Sequence, residues 1–141
     1  MIRAVIDASV FVSSALSGTL AQVLHEWQAE RFLLIVTVEV VREYLEVLRR
    51  PKFALPPEVV DSICGYLLHK AEFVTPLERL SVVEADPKDD KFLEAAVAGQ
   101  ADLIVSGDAH LLNLKTFRNI HVITPRAFLD RLRNESPSAA S

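Results

Sequence analysis

Cysteine is almost absent from this chain, and its single occurrence, Cys64, rules out an intrachain disulfide. A small fold stapled by disulfides is therefore excluded, and a reducing compartment is the natural expectation. Cys64 lies in an apolar helical pattern and reads as a core residue rather than a nucleophile. Long apolar runs are missing as well: none approaches the roughly 20 residues of a membrane span. Asp7 interrupts the first apolar stretch, with no small-residue cleavage site after it, so no signal peptide is expected. These absences point to a soluble, cytoplasmic protein with no membrane partner. Positive charge is also in deficit, with a formal net charge of −4. A protein that held nucleic acid by electrostatics alone would usually be basic. If this one handles RNA, metal ions must offset its acids and its basic patches must be local. Zinc is not indicated, because His25, His69, His110 and His121 are scattered without ligand spacing. There is no internal repeat.

What is present suits a single domain. Half of the 141 residues are hydrophobic and 24% are charged, a composition that folds around one core. Ile2 to Ile6 and Phe32 to Val36 are short β-branched or apolar runs, as expected of strands buried on both faces of a parallel sheet. Leu20 to Glu30 has helical spacing. Thr37 can cap a helix over Val38 to Arg50, which Pro51 stops. Pro56-Pro57 opens another helix, Glu72 to Thr75 is a short strand, and Asp89 to Ala98 is a helix with Gly99 just past its end. Leu103 to Val105 and His121 to Ile123 are strands, the Ala109–Leu112 segment is a short helix, and Pro125 starts a last helix through Arg133. Residues 1–133 are expected to form the domain and residues 134–141 a disordered tail. Strands that alternate with helices predict a three-layer α/β/α sandwich around a mainly parallel sheet. Ligands of such sheets bind at the carboxyl ends of the strands.

The residues at those ends are acidic. Asp7 follows the first strand, Asp108 ends the turn after Val105, and Asp90 lies in the first turn of its helix. Glu43 falls at the border of the apolar face of the helix after the second strand. Each has a plain alternative reading: Asp7 and Asp108 as caps, Asp90 as a response to the helix dipole, Glu43 as a surface charge. Jointly they are harder to dismiss, because four converging carboxylates repel one another unless a cation sits among them. Hard divalent ions such as Mg²⁺ and Mn²⁺ prefer such oxygens.

At these residues the chain resembles the PIN-domain family, and more closely its VapC-like toxin branch. Val5-Ile6-Asp7-Ala8-Ser9-Val10-Phe11-Val12 resembles the first motif of the family. The stretch from Glu39 to Lys52, with its Arg49-Arg50-Pro51-Lys52 ending, resembles the second. Asp86-Pro87-Lys88-Asp89-Asp90-Lys91-Phe92-Leu93-Glu94-Ala95-Ala96 resembles the third, and Ala101 to Leu112 the fourth. The resemblance extends to about Phe128 and implies metal-binding acids at Asp7, Glu43, Asp90 and Asp108, with Ser9 and Ser106 as supporting hydroxyls. Asp89 is a competing assignment for Asp90. His110 stands where many relatives carry a further acid, and Ser9 where they often have Asn.

The resemblance implies Mg²⁺- or Mn²⁺-dependent endonucleolytic hydrolysis of single-stranded RNA, leaving 5′-phosphate and 3′-hydroxyl ends. It also implies a cognate antitoxin that blocks the site, and a homodimer. Arg49, Arg50 and Lys52 are candidates for the substrate backbone, or simply cations at a helix C-terminus; Lys88 and Lys91 could contact phosphate or balance charge. A receiver domain would need an Asp after the third strand and a Lys after the fifth, where Thr75 and Thr124 stand. A haloacid-dehalogenase-type phosphatase would need Asp-x-Asp where Asp7-Ala8-Ser9 stands. The rival of another class is a catalytically inactive PIN-like module that binds RNA or a protein partner.

Overall fold

Alternation of apolar strands with helices yields a six-stranded sheet of order β3-β2-β1-β4-β6-β5, seen in a computed structural model that describes residues 1–16 and 21–135. The strands are β1 (Ile2–Ile6), β2 (Phe32–Val36), β3 (Glu72–Phe73), β4 (Leu103–Val105), β5 (Thr116–Phe117) and β6 (Ile120–Ile123). All pairings are parallel except β5 with β6. Register is set by Ala4 opposite both Leu34 and Leu103, which places the carboxyl ends of β1, β2 and β4 at one edge. Consecutive residues of β1, β2 and β4 (Ala4-Val5-Ile6, Leu34-Ile35-Val36, Leu103-Ile104-Val105) are all buried. Successive strand residues point to opposite faces, so both faces are covered and the architecture is a three-layer α/β/α sandwich.

The helices are α1 (Ala8–Leu16), α2 (Ala21–Gln28), α3 (Val38–Leu48), α4 (Pro57–Lys70), α5 (Asp90–Ala98), α6 (Ala109–Leu112) and α7 (Pro125–Glu135). Thr37 caps α3 as expected, its hydroxyl accepting from the Val40 N–H at 3.1 Å, and α3 ends at Leu48, ahead of Pro51. Helix α1 was not anticipated, and neither was β5. A 3₁₀ turn over Pro87–Asp89 precedes α5, which begins at Asp90 rather than Asp89. The last helix runs to Glu135, two residues beyond the expected Arg133. Leu20 and residues 136–141 of the expected tail lie outside the described residues. Cys64 is partly exposed on α4 rather than in the core. Gly99 lies so close to β2 that a Cβ there would meet Ile35 Cγ2 at 2.6 Å. No helix among the described residues is long and apolar enough to cross a membrane.

Candidate metal centre

Asp7 extends the ladder at the end of β1, its N–H donating to the Val105 carbonyl at 3.0 Å. Its side chain is only 4% exposed. One carboxylate oxygen accepts from the Val10 N–H at 2.9 Å and the Ser9 hydroxyl at 3.2 Å; the other accepts a short hydrogen bond from Ser106. Asp7 thus acts as a cap, holding the first turn of α1 through Val10, and at the same time faces β4 through Ser106. Burial lifts its pKa above the ordinary carboxylate value, while the donors Ser106, Val10, Ser9 and Gly107 pull it back down.

Ser106 is fully buried and acts as a bridge, donating to Asp7 and accepting from the Asp108 N–H at 2.9 Å. Asp108 caps α6, with one oxygen accepting from the His110 N–H at 2.7 Å. His110 itself is exposed.

The adjacent acids Asp89 and Asp90 take different roles. Asp90 turns one oxygen to the backbone N–H groups of Val82 and Val83, at 3.1 and 2.9 Å, and so anchors the segment that leads into the 3₁₀ turn. Asp89, 9% exposed, has a buried oxygen with no hydrogen-bond partner. Carboxylate oxygens of Asp86, Asp89 and Asp108 lie within 4.8 Å of one another. Burial first, then the charges of Asp86, Asp108, Asp7 and Glu43, push the Asp89 carboxyl up to about 7. Glu43 enters this field from the middle of α3, where it pairs with Lys91 of α5.

Two buried contacts hold these elements in place. The Tyr44 hydroxyl donates a short hydrogen bond to the Ile6 carbonyl, tying α3 to the end of β1, and its ring stacks on Phe11 at 4.1 Å. Burial, with the charges of Asp7 and Glu43, raises that phenol well above its usual range, so it remains a donor. Glu94, buried on α5, accepts from Arg79 at 3.0 Å and from the Leu80 N–H at 2.8 Å, and Arg79 also reaches Glu39 at 3.0 Å. Together with Asp90, Glu94 fastens residues 79–83 against α5.

The structure therefore brings together Asp7, Ser9, Ser106 and Asp108, with Glu43 close enough for its charge to act on Asp89. Arg49, Arg50 and Lys52 follow the C-terminal end of α3, beginning about 9 Å along its axis beyond Glu43, and none of them forms an ion pair with these acids among the described residues. Sequence reasoning gave no site role to Asp86 or Glu94. The signal for Asp86 was its place in the Asp86-Pro87-Lys88-Asp89-Asp90 run; Glu94, set among Phe92, Leu93, Ala95 and Ala96, was marked by an apolar surround.

A sequence profile for the PIN domain matches residues 3–110. No curated protein sequence matches the chain at significance. The crystal structure of PAE2754 from Pyrobaculum aerophilum is similar in fold, with a TM-score of 0.58 and 18% sequence identity over 94% of this chain and 96% of that one.

Proposed function

Because the chain belongs to the PIN-domain family, whose members are typically metal-dependent nucleases, we propose that it is an endoribonuclease that hydrolyses single-stranded RNA with Mg²⁺ or Mn²⁺. The observation that carries this reading is the buried, unpartnered oxygen of Asp89 among the carboxylates of Asp86 and Asp108. An oxygen-only donor set with an orphaned acceptor suits a hard divalent cation, so the residues present fit the group. Asp86, Asp89, Asp108 and Asp7 would hold it, with Glu43 flanking; Asp89 takes the place expected for Asp90, which positions the loop instead. When bound, such a cation lowers the pKa of water and neutralises charge on the phosphodiester.

The chain's own residues do the rest. Ser9, Val10 and Ser106 fix both oxygens of Asp7, so this ligand is preorganised and costs no reordering on binding. Ser106 locks the Asp108 turn to the same point. Lys91 neutralises Glu43 and is a donor for phosphate at the same edge. In the toxin-type setting suggested by the motif resemblance, the physiological partner is an antitoxin that covers this edge, and the protein acts as a homodimer.

The test is incubation of purified protein, freed of copurifying protein, with mixed single-stranded RNA in Mg²⁺, Mn²⁺ or EDTA, beside Asp7→Asn. Cleavage that requires both the metal and Asp7 supports the proposal. A folded, monodisperse protein that cuts under no metal refutes it and favours a non-cutting binding module.

A further inference from the structure

Two clefts adjoin the acid cluster at the carboxyl edge, one on each side. Toward β6, a cleft of about 700 Å³ between α1 and α7 is lined by Ser9, Ser13, Gly107, Thr124, Arg126 and Arg133. Toward β3, a cleft of about 440 Å³ is lined by Thr37, Glu39, Arg42, Thr75 and Arg79. A third hollow, about 740 Å³ around Asp102 and Arg118, opens at the amino ends of the strands, away from the acids. Each cleft beside the cluster holds one arginine already engaged by a carboxylate of the same cleft: Arg133 with Asp130 at 3.6 Å, and Arg79 with Glu39 at 3.0 Å. Each also holds one exposed arginine that forms no ion pair among the described residues, Arg126 or Arg42.

We propose that Arg42 and Arg126 are the phosphate contacts of a track for single-stranded RNA that crosses the carboxyl edge at right angles to the strands, with the acids midway. This inference rests on the nuclease reading and adds the path of the substrate to it. The two clefts reach from the end of β2, at Thr37, to the end of β6, at Thr124, and in the order β2-β1-β4-β6 three strand spacings amount to about 14 Å. That is the span of a short oligonucleotide rather than of one phosphate. The acid cluster repels a polyanion, so a bond held over it needs cationic contacts on both sides. The guanidinium fork, still charged and uncommitted, matches phosphate oxygens in two-point geometry. Ser13 and Thr124 add hydroxyl groups along the same cleft as Arg126. Arg49, Arg50 and Lys52 line neither of the two clefts.

The experiment is fluorescence anisotropy of a short labelled single-stranded RNA in Mg²⁺ across a KCl series. The protein carries Asp7→Asn to prevent cutting. Arg42→Ala and Arg126→Ala are each expected to weaken binding by about three- to tenfold and to make the log–log salt dependence shallower by about 0.7. The double variant Arg49→Ala/Arg50→Ala is expected to bind as the parent does. Unchanged affinity in Arg42→Ala or Arg126→Ala, or a loss carried by the Arg49/Arg50 pair, would overturn the track. Cleavage of the same RNA by the wild type separates the two readings. If it cuts while the arginine variants bind normally, the track is wrong and the nuclease stands. If it neither cuts nor binds, the nuclease reading falls and the track with it.

Discussion

Changing Asp89 to asparagine keeps the shape of the side chain and removes a charge that Asp86, Asp108, Asp7 and Glu43 all oppose. The folded carboxyl titrates near 7 against an ordinary 3.8. At about 1.4 kcal/mol per unit, the roughly three-unit difference sets a ceiling of roughly 4 kcal/mol; solvent at the mouth of the cluster reduces this to about 2 kcal/mol. The sign follows from proton counting. The unfolded chain loses its proton first, so the metal-free wild type becomes less stable as pH rises from 3.8 to about 7, and the penalty is constant above that window. Asparagine does not titrate. In EDTA, Asp89→Asn should match the wild type at about pH 4 and exceed it at about pH 8 by about 2 kcal/mol. For a chain of this size that corresponds to a melting temperature higher by roughly 6–8 °C. Adding Mn²⁺ should stabilise the wild type and leave the variant behind, because only the wild type keeps the full ligand set. Thermal and urea melts across pH, with and without metal, measure all of this. A variant less stable than wild type at pH 8 in EDTA, or a gain that does not depend on pH, would refute the idea that Asp89 is an uncompensated charge.

Three further outcomes are expected. Ser106→Ala removes the bridge between Asp7 and the Asp108 turn and should lower metal affinity or cleavage by about 10- to 100-fold with the fold retained; unaltered calorimetric affinity and rate would exclude that role. Lys91→Met removes the ammonium that faces Glu43 and should tighten divalent-ion binding by about tenfold, whereas weaker binding in calorimetry would mean that Lys91 supports the site instead of competing with the ion. Tyr44→Phe deletes one buried hydrogen bond to the Ile6 carbonyl and should cost about 1 kcal/mol, a fall in melting temperature of about 3–4 °C; an unshifted melt would show that the bond contributes nothing.

Much of the fold was legible because both faces of the sheet are covered. Runs such as Leu103-Ile104-Val105 need no alternation to read as strands when every side chain is buried. The same uniformity hid α1, whose polar stripe is narrow: Ser9 and Ser13, four residues apart, are exposed, while Ala8, Val10, Phe11, Val12 and Ser14 are buried. Strand β5 is two residues long and is joined to β6 by Arg118 and Asn119, both at positive φ; arginine is not a residue from which such a turn is inferred. For Asp89 and Asp90 the difficulty was phase. Neighbouring helical residues diverge by about 100°, so the acid that faces the cluster depends on where the 3₁₀ turn ends and α5 begins.

The Ser106 bridge has a consequence for the nascent chain. It joins residues 99 positions apart, and β1 acquires β4 as a neighbour only after β2, β3 and the helices α1 to α5 have been made. At about 5–20 residues per second, that delay is roughly 5–20 s of synthesis. Until Leu103–Val105 emerges and docks, Asp7 lacks both its buried environment and its hydroxyl donor, so the acidic cluster is not yet assembled while the chain is on the ribosome. The centre is completed late, by a long-range pairing, and a chain truncated at Gln100, just ahead of β4, would carry three of the four sequence motifs and no assembled centre.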